Sequence, residues 1–254
     1  MVARRGESAG LSPIALLPPR LPCYSERVFA AALTPYWPLL VSLPFAVVDW
    51  VAAGRGLKRL EYVFKPLTMG VIIAAVVHFF PVIASPWYRA WFLGAFTLSF
   101  GGDVFLMLDG ERAFRAGLAS FLMAQLVFIV GFNQTLPPVA SVYILVPVGI
   151  IAAHYFARLA PKLREGGRGA LVVPVALYSI VLSLMFYSAL ATLMRRDWPL
   201  HRAVVAAVGG FLFFMSDSVL AWHRLVRPLR GGSVVIHVTY HLAQMLLALS
   251  IMTW

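Results

Sequence analysis

Ser99-Phe100-Gly101-Gly102-Asp103-Val104-Phe105-Leu106 sets an aspartate inside an apolar run that extends over residues 88–108. A second run holds a similar stretch, Phe213-Phe214-Met215-Ser216-Asp217-Ser218-Val219-Leu220. About 20 apolar residues cross the hydrocarbon core of a bilayer as one helix, and both runs reach that length. An ionisable side chain in such a segment costs about 3 kcal/mol on insertion scales. Two carboxyl groups carried at that cost point to chemistry, and the apolar runs around them decide the fold class.

Outward from these stretches the pattern repeats. Runs at 28–50, 65–83, 88–108, 114–133, 139–160, 170–194, 202–225 and 234–254 predict eight spans. Ser85-Pro86, Asp109-Gly110, Leu136-Pro137-Pro138, Gly166-Gly167 and Gly231-Gly232 fall between them, where turn formers belong. The runs are too long for barrel strands, and in lipid every backbone amide needs a partner inside its own segment. The expectation is an all-α protein, a polytopic transmembrane helical bundle, with residues 28–254 as a single membrane domain. Residues 1–27 carry Arg4, Arg5, Arg20 and Arg27, and their apolar piece, residues 11–17, is interrupted by Pro13. That piece is too short and broken for a signal peptide, so the segment reads as a disordered or mis-started tail.

Composition agrees: the chain is 61% hydrophobic and 12% charged, outside the range of soluble globular proteins. The formal charge of +11 could suggest nucleic acid, but the basic residues stand in short groups between apolar runs. There they read as topology signals and contacts to anionic membrane lipid, and no nucleic-acid partner is expected. The single Cys23 excludes an intrachain disulfide and a cysteine-based metal cluster. Lysines and arginines gather on the odd-numbered loops, among them Arg55, Lys58, Arg59, Arg112, Arg115, Lys162, Arg164, Arg227 and Arg230. Those loops are predicted to be cytoplasmic.

This parity places Asp103 and Asp217 about 7 and 12 Å from the same, cytoplasmic end of their spans. Lys65, Thr68, His154, Tyr178, His237, Tyr240, His241 and Gln244 fall in the same half of the membrane. One polar layer implies one buried cavity opening toward one leaflet. Two carboxyl groups in such a cavity tend to share a proton, so that one is an acid while the other is a base. The alternatives are a structural pair of hydrogen-bonded carboxyls and a proton relay. Ser99 lies one turn before Asp103, and Ser216 and Ser218 flank Asp217, so local hydrogen-bond partners are at hand. Gly101 and Gly102 either let a neighbouring helix approach or leave room for a ligand. Lys65, followed by Pro66, is either an interfacial anchor or a contact for a lipid phosphate. His237 and His241 are four apart, a spacing that can hold zinc with His154 or an aspartate as third ligand, or a pair that only packs within the bundle. No nucleophile elbow, phosphate-binding loop or dinucleotide fingerprint occurs.

The sequence resembles the YhhN-like lysoplasmalogenases, an eight-span membrane family, from about Leu60 onward. Lys65-Pro66-Leu67-Thr68 carries the resemblance, with Gly102-Asp103-Val104-Phe105-Leu106 followed by Phe114, Gly117 and Phe121. Pro174, Tyr178, Met185, Gly210, Phe213, Ser216-Asp217, Leu220-Ala221, Tyr240 and Gln244 continue it. Gln125 and Phe128 stand where the family pattern has a histidine and a tyrosine, and His241 where an aromatic residue is commoner. The resemblance implies hydrolysis of the vinyl ether bond of a lysophospholipid to a fatty aldehyde and a glycerophospho-base. It further implies Asp103 and Asp217 as catalytic residues, and Lys65, Thr68, Ser99, Tyr178, Ser216, Tyr240 and Gln244 around the substrate. No cofactor and no metal are called for, and a bacterial inner membrane is the expected location. Two other readings compete: a zinc-dependent intramembrane lipid hydrolase built on the histidines, and a proton-coupled transporter or lipid-binding protein.

Overall fold

The structure, a computed structural model, describes residues 37–78 and 83–252. The tail 1–27 with Cys23 and the first nine residues of the first predicted span lie outside the described residues. Eight helices follow in order: α1 (Trp37–Arg55), α2 (Lys58–His78), α3 (Pro86–Met107), α4 (Glu111–Phe132), α5 (Val142–Glu165), α6 (Val172–Ala191), α7 (Leu200–Leu225) and α8 (Gly232–Ser250). Each coincides with one predicted span. Seven of them, α2 to α8, are long and apolar enough to cross a membrane; α1 overlaps the first predicted span, so the described residues give seven such helices where eight were expected. The all-α, polytopic expectation therefore holds.

Boundaries differ where charge and apolarity part company. Helix α2 begins seven residues before the predicted span, because Lys58, Arg59 and Glu61 are good helix formers that extend the helix past the apolar stretch. Helix α1 runs five residues beyond its predicted end, to Arg55. Helix α3 starts at the marked punctuation: Ser85 Oγ accepts the backbone N–H of Tyr88 at 3.4 Å, and Pro86 occupies the first turn.

Helices α1, α2, α3, α4, α6, α7 and α8 form a closed circuit of packed neighbours, with α4 meeting α6 and α8 meeting α1. Helix α5 stands outside it, packed mainly on α6 and only 11% buried along its span. Aromatic rings fill the centre: Phe92 packs edge-on to Phe128 and Phe132, and Phe128 to Phe213.

Three helix C-termini are closed by arginines from elsewhere in the chain. Arg195 Nη1 donates to Phe132 O at 2.6 Å, Arg202 Nε to Ser250 O at 2.7 Å, and Arg168 Nη1 to Arg224 O and Leu225 O at 3.0 and 2.9 Å. A guanidinium at a helix C-terminus satisfies orphan carbonyls and meets the negative end of the helix dipole. Arg195 and Arg202 are both buried. Their first task is to end α4 and α8.

Candidate active site

Asp103 sits near the end of α3, fully buried. Lys65 of α2 places its ammonium 3.0 Å from Oδ1, and Tyr240 of α8 donates its hydroxyl to Oδ2 at 2.6 Å. The lysine also lies over the Tyr240 ring, 5.7 Å from its centroid. Both oxygens of Asp103 are thus engaged, and its charge is balanced by a cation buried beside it. Lys65 is here an ion-pair partner of Asp103.

Asp217 of α7 is built differently. Gln125 Nε2 of α4 donates to its Oδ2 at 2.8 Å, and Tyr178 of α6 donates its hydroxyl to the same oxygen. Among the described residues no donor falls on Oδ1. Each carboxyl therefore collects a tyrosine and one further donor from two other helices, and no hydrogen bond joins the two aspartates.

An apolar groove runs along α7 between α4, α5 and α6. Leu106, Phe114, Phe121 and Leu182 are among its walls, and Tyr178, Asp217 and Arg224 are its main polar features. Ser179 and Ser183 also line it, but their hydroxyls donate to backbone carbonyls one turn back, at 2.8 and 2.6 Å, so the wall stays apolar. Of the two aspartates only Asp217 lines the groove. Phe121 lies between: it walls the groove and packs 5.7 Å edge-on to Tyr240, the partner of Asp103.

The other candidates separate by their hydrogen bonds. Thr68 Oγ1 donates to Phe64 O of its own helix at 2.7 Å, and Ser216 Oγ reaches across to Ile236 O of α8 at 3.0 Å. Ser99 Oγ and both amide atoms of Gln244 are buried without a well-aligned partner. His154 is exposed on α5, away from the bundle's interior. His237 Nδ1 lies 2.8 Å from Asp49 Oδ2, and His241 Nδ1 accepts the indole N–H of Trp50 at 3.2 Å. Among the described residues, no three His, Cys, Asp or Glu side chains converge in a way that could hold a metal ion.

Three residues escaped the sequence reading. Asp49 stood one residue inside the predicted end of its span, where an acid reads as interfacial; with α1 running to Arg55 it is deeper and fully buried. Gln125 was visible only as a departure from the family pattern, and its bond to Asp217 depends on packing between α4 and α7. Arg224 counts in the sequence as a basic residue at a span end, although seven residues from Asp217 amount to two helical turns and put both on one face.

Over residues 60–251 the sequence matches the YhhN family. It is 33% identical to human lysoplasmalogenase TMEM86B over 159 residues, 62% of this chain and 61% of that protein. The pig lysoplasmalogenase TMEM86B is 30% identical over 180 residues, 71% of each chain. A lysoplasmalogenase of Mycobacterium bovis is 27% identical over 236 residues, 84% of this chain and 85% of that protein. The match to the human protein spans about three fifths of its length, whereas the bacterial match is nearly end to end. No solved structure matches. With the Lys65–Asp103 and Tyr178–Asp217 positions both inside the matched region, this chain belongs to the YhhN family.

Proposed function

We propose that the protein is an intramembrane hydrolase that cleaves the vinyl ether bond of lysoplasmalogens, releasing a fatty aldehyde and a glycerophospho-base. Three relatives carry the name lysoplasmalogenase. The observation that carries the reading is the Asp217 carboxyl on the wall of an apolar groove, with both of its donors on one oxygen.

Vinyl ether hydrolysis begins with a proton on carbon. The neutral Asp217 carboxyl delivers a proton from Oδ1 to the β-carbon of the vinyl ether, whose π electrons form the new C–H bond and leave an oxocarbenium ion. Gln125 and Tyr178 stabilise the resulting carboxylate through Oδ2. Water then adds to the α-carbon and loses a proton to that carboxylate, which restores the acid. The hemiacetal collapses: its hydroxyl proton passes to the departing glycerol oxygen, and the carbonyl of the aldehyde forms. The cycle consumes one water and returns every proton. Asp103, ion-paired with Lys65, fixes Tyr240 and the aromatic wall that closes the groove behind the reacting carbons.

The test is aldehyde release from a lysoplasmalogen by purified protein in lipid nanodiscs. Asp217→Asn lowers turnover by at least about a hundredfold, the scale of a lost general acid, and Asp103→Asn falls comparably. In heavy water the released aldehyde carries one deuterium on the carbon next to the carbonyl. Full turnover by folded Asp217→Asn and Asp103→Asn variants, or aldehyde without that deuterium, would overturn the proposal.

A further inference from the structure

Given the vinyl ether reading above, the substrate's phosphate needs a cation, and Lys65 is already held by Asp103. We infer that Arg224 is the phosphate anchor of the substrate, binding the headgroup at the mouth of the groove while the vinyl ether lies at Asp217.

Four observations carry this. Arg224 is the one lysine or arginine among the residues that line the groove, and Asp217 the one carboxylate. The two are seven residues apart on α7, about 10.5 Å along the axis and on one face. In a lysoplasmalogen, six bonds separate the ether-bearing vinyl carbon from phosphorus, an extended span of about 7.5 Å, the length of two peptide units. A guanidinium that can swing a few ångströms toward the groove bridges the difference. Arg224 is also available for a ligand: it is exposed, and among the described residues its side chain makes one long 3.5 Å contact, from Nη2 to Leu106 O. The last turn of α7 is held by Arg168, which donates to the Arg224 and Leu225 carbonyls, so the Arg224 side chain is not needed to end the helix.

The geometry also orders the substrate. The phosphate meets a planar two-pronged donor at the membrane surface, the form of contact arginine makes best with phosphate. The vinyl ether reaches Asp217 two turns deeper. The hydrocarbon tail follows the apolar wall past Leu182 and Phe214, toward α5, which does not pack closely against α4.

The experiment compares wild type, Arg224→Gln and Arg224→Lys on two substrates, a lysoplasmalogen and the 1-alkenylglycerol that lacks the phosphate. Wild type is expected to favour the phosphorylated substrate through KM by at least about tenfold, the scale of a charge-assisted hydrogen bond. Arg224→Gln narrows that preference to within about twofold by raising KM for lysoplasmalogen, with kcat little changed, and Arg224→Lys falls between. A second arm measures binding of the uncleavable saturated 1-alkyl lysophospholipid and of 1-alkylglycerol, by shift of thermal unfolding midpoint. There Arg224→Gln loses the extra shift given by the phosphate. An unchanged preference in both arms, or equal losses on both substrates, overturns the assignment. Absence of aldehyde release by wild type with the phosphate-dependent shift intact sinks the hydrolase reading and leaves the anchor standing.

Discussion

Asp103 and Lys65 illustrate what burial does to a pair of charges. Both are withdrawn from water, and neither can lose the other without leaving an uncompensated charge in the bundle. Lys65→Met is expected to destabilise the protein by about 3–5 kcal/mol, and the double variant Lys65→Met with Asp103→Asn to recover a good part of it. Unfolding midpoints of the two single variants and the double variant in detergent measure this; additive losses would show that the pair is not coupled. At the other carboxyl, Tyr178→Phe removes one of two donors to Oδ2 while sparing the ring that lines the groove. Turnover is expected to fall by about tenfold or more with KM nearly constant, since the lost bond matters most when charge develops on the carboxylate. The aspartates themselves were legible in the sequence because a carboxyl in an apolar run is costly. Gln125 was not, because an amide in such a run costs less and its partner lies 92 residues away.

Helix contacts rest on a few close approaches. A methyl added at Gly102 would meet the Phe121 ring at 2.6 Å, and one at Gly210 would meet Ala189 Cβ at 2.6 Å. Of the two uses open to the Gly102 position, helix approach is therefore the one found, between α3 and α4. Gly149 of α5 has nothing within 4 Å of the same added carbon. Gly210→Val is expected to destabilise by about 1–3 kcal/mol through overpacking between α6 and α7, whereas Gly149→Ala is neutral or stabilises by a few tenths of a kcal/mol. Thermal unfolding of the two variants side by side checks the contrast, and equal effects would contradict it. The spans were readable as elements from apolar length alone, but that signal does not say which face of a helix meets which neighbour. Nor did it separate α5, as apolar as the others, from the packed circuit.

The bundle is closed on itself where α1 meets α8. Asp49 and Trp50 of α1 hold His237 and His241 of α8, at 2.8 and 3.2 Å, and Asp49 Oδ2 also comes within 3.8 Å of His241. This cluster stands beside the Asp103 ion pair through Tyr240, whose ring lies 5.5 Å from that of His241. Asp49→Ala is expected to lower the unfolding midpoint by about 2–8 °C, on the scale of a buried polar partner lost from a chain of this size. The same change exposes α1 to limited proteolysis sooner than the rest of the bundle; a cleavage pattern identical to wild type would show that α1 is held by packing alone. The histidine spacing in the sequence was legible, but the histidines' partners Asp49 and Trp50 were not, since they come from a helix about 190 residues earlier.

The sequence by itself determined the all-α membrane fold class and where two carboxyl groups stand in it, because lipid penalises each unpaired amide and each charge locally, residue by residue. Only the tertiary structure decided what those aspartates meet. Whether a carboxyl meets a lysine, as Asp103 does, or a groove wall, as Asp217 does, depends on donors from α2, α4, α6 and α8. Their convergence is a property of helix packing and leaves no periodic trace along the chain.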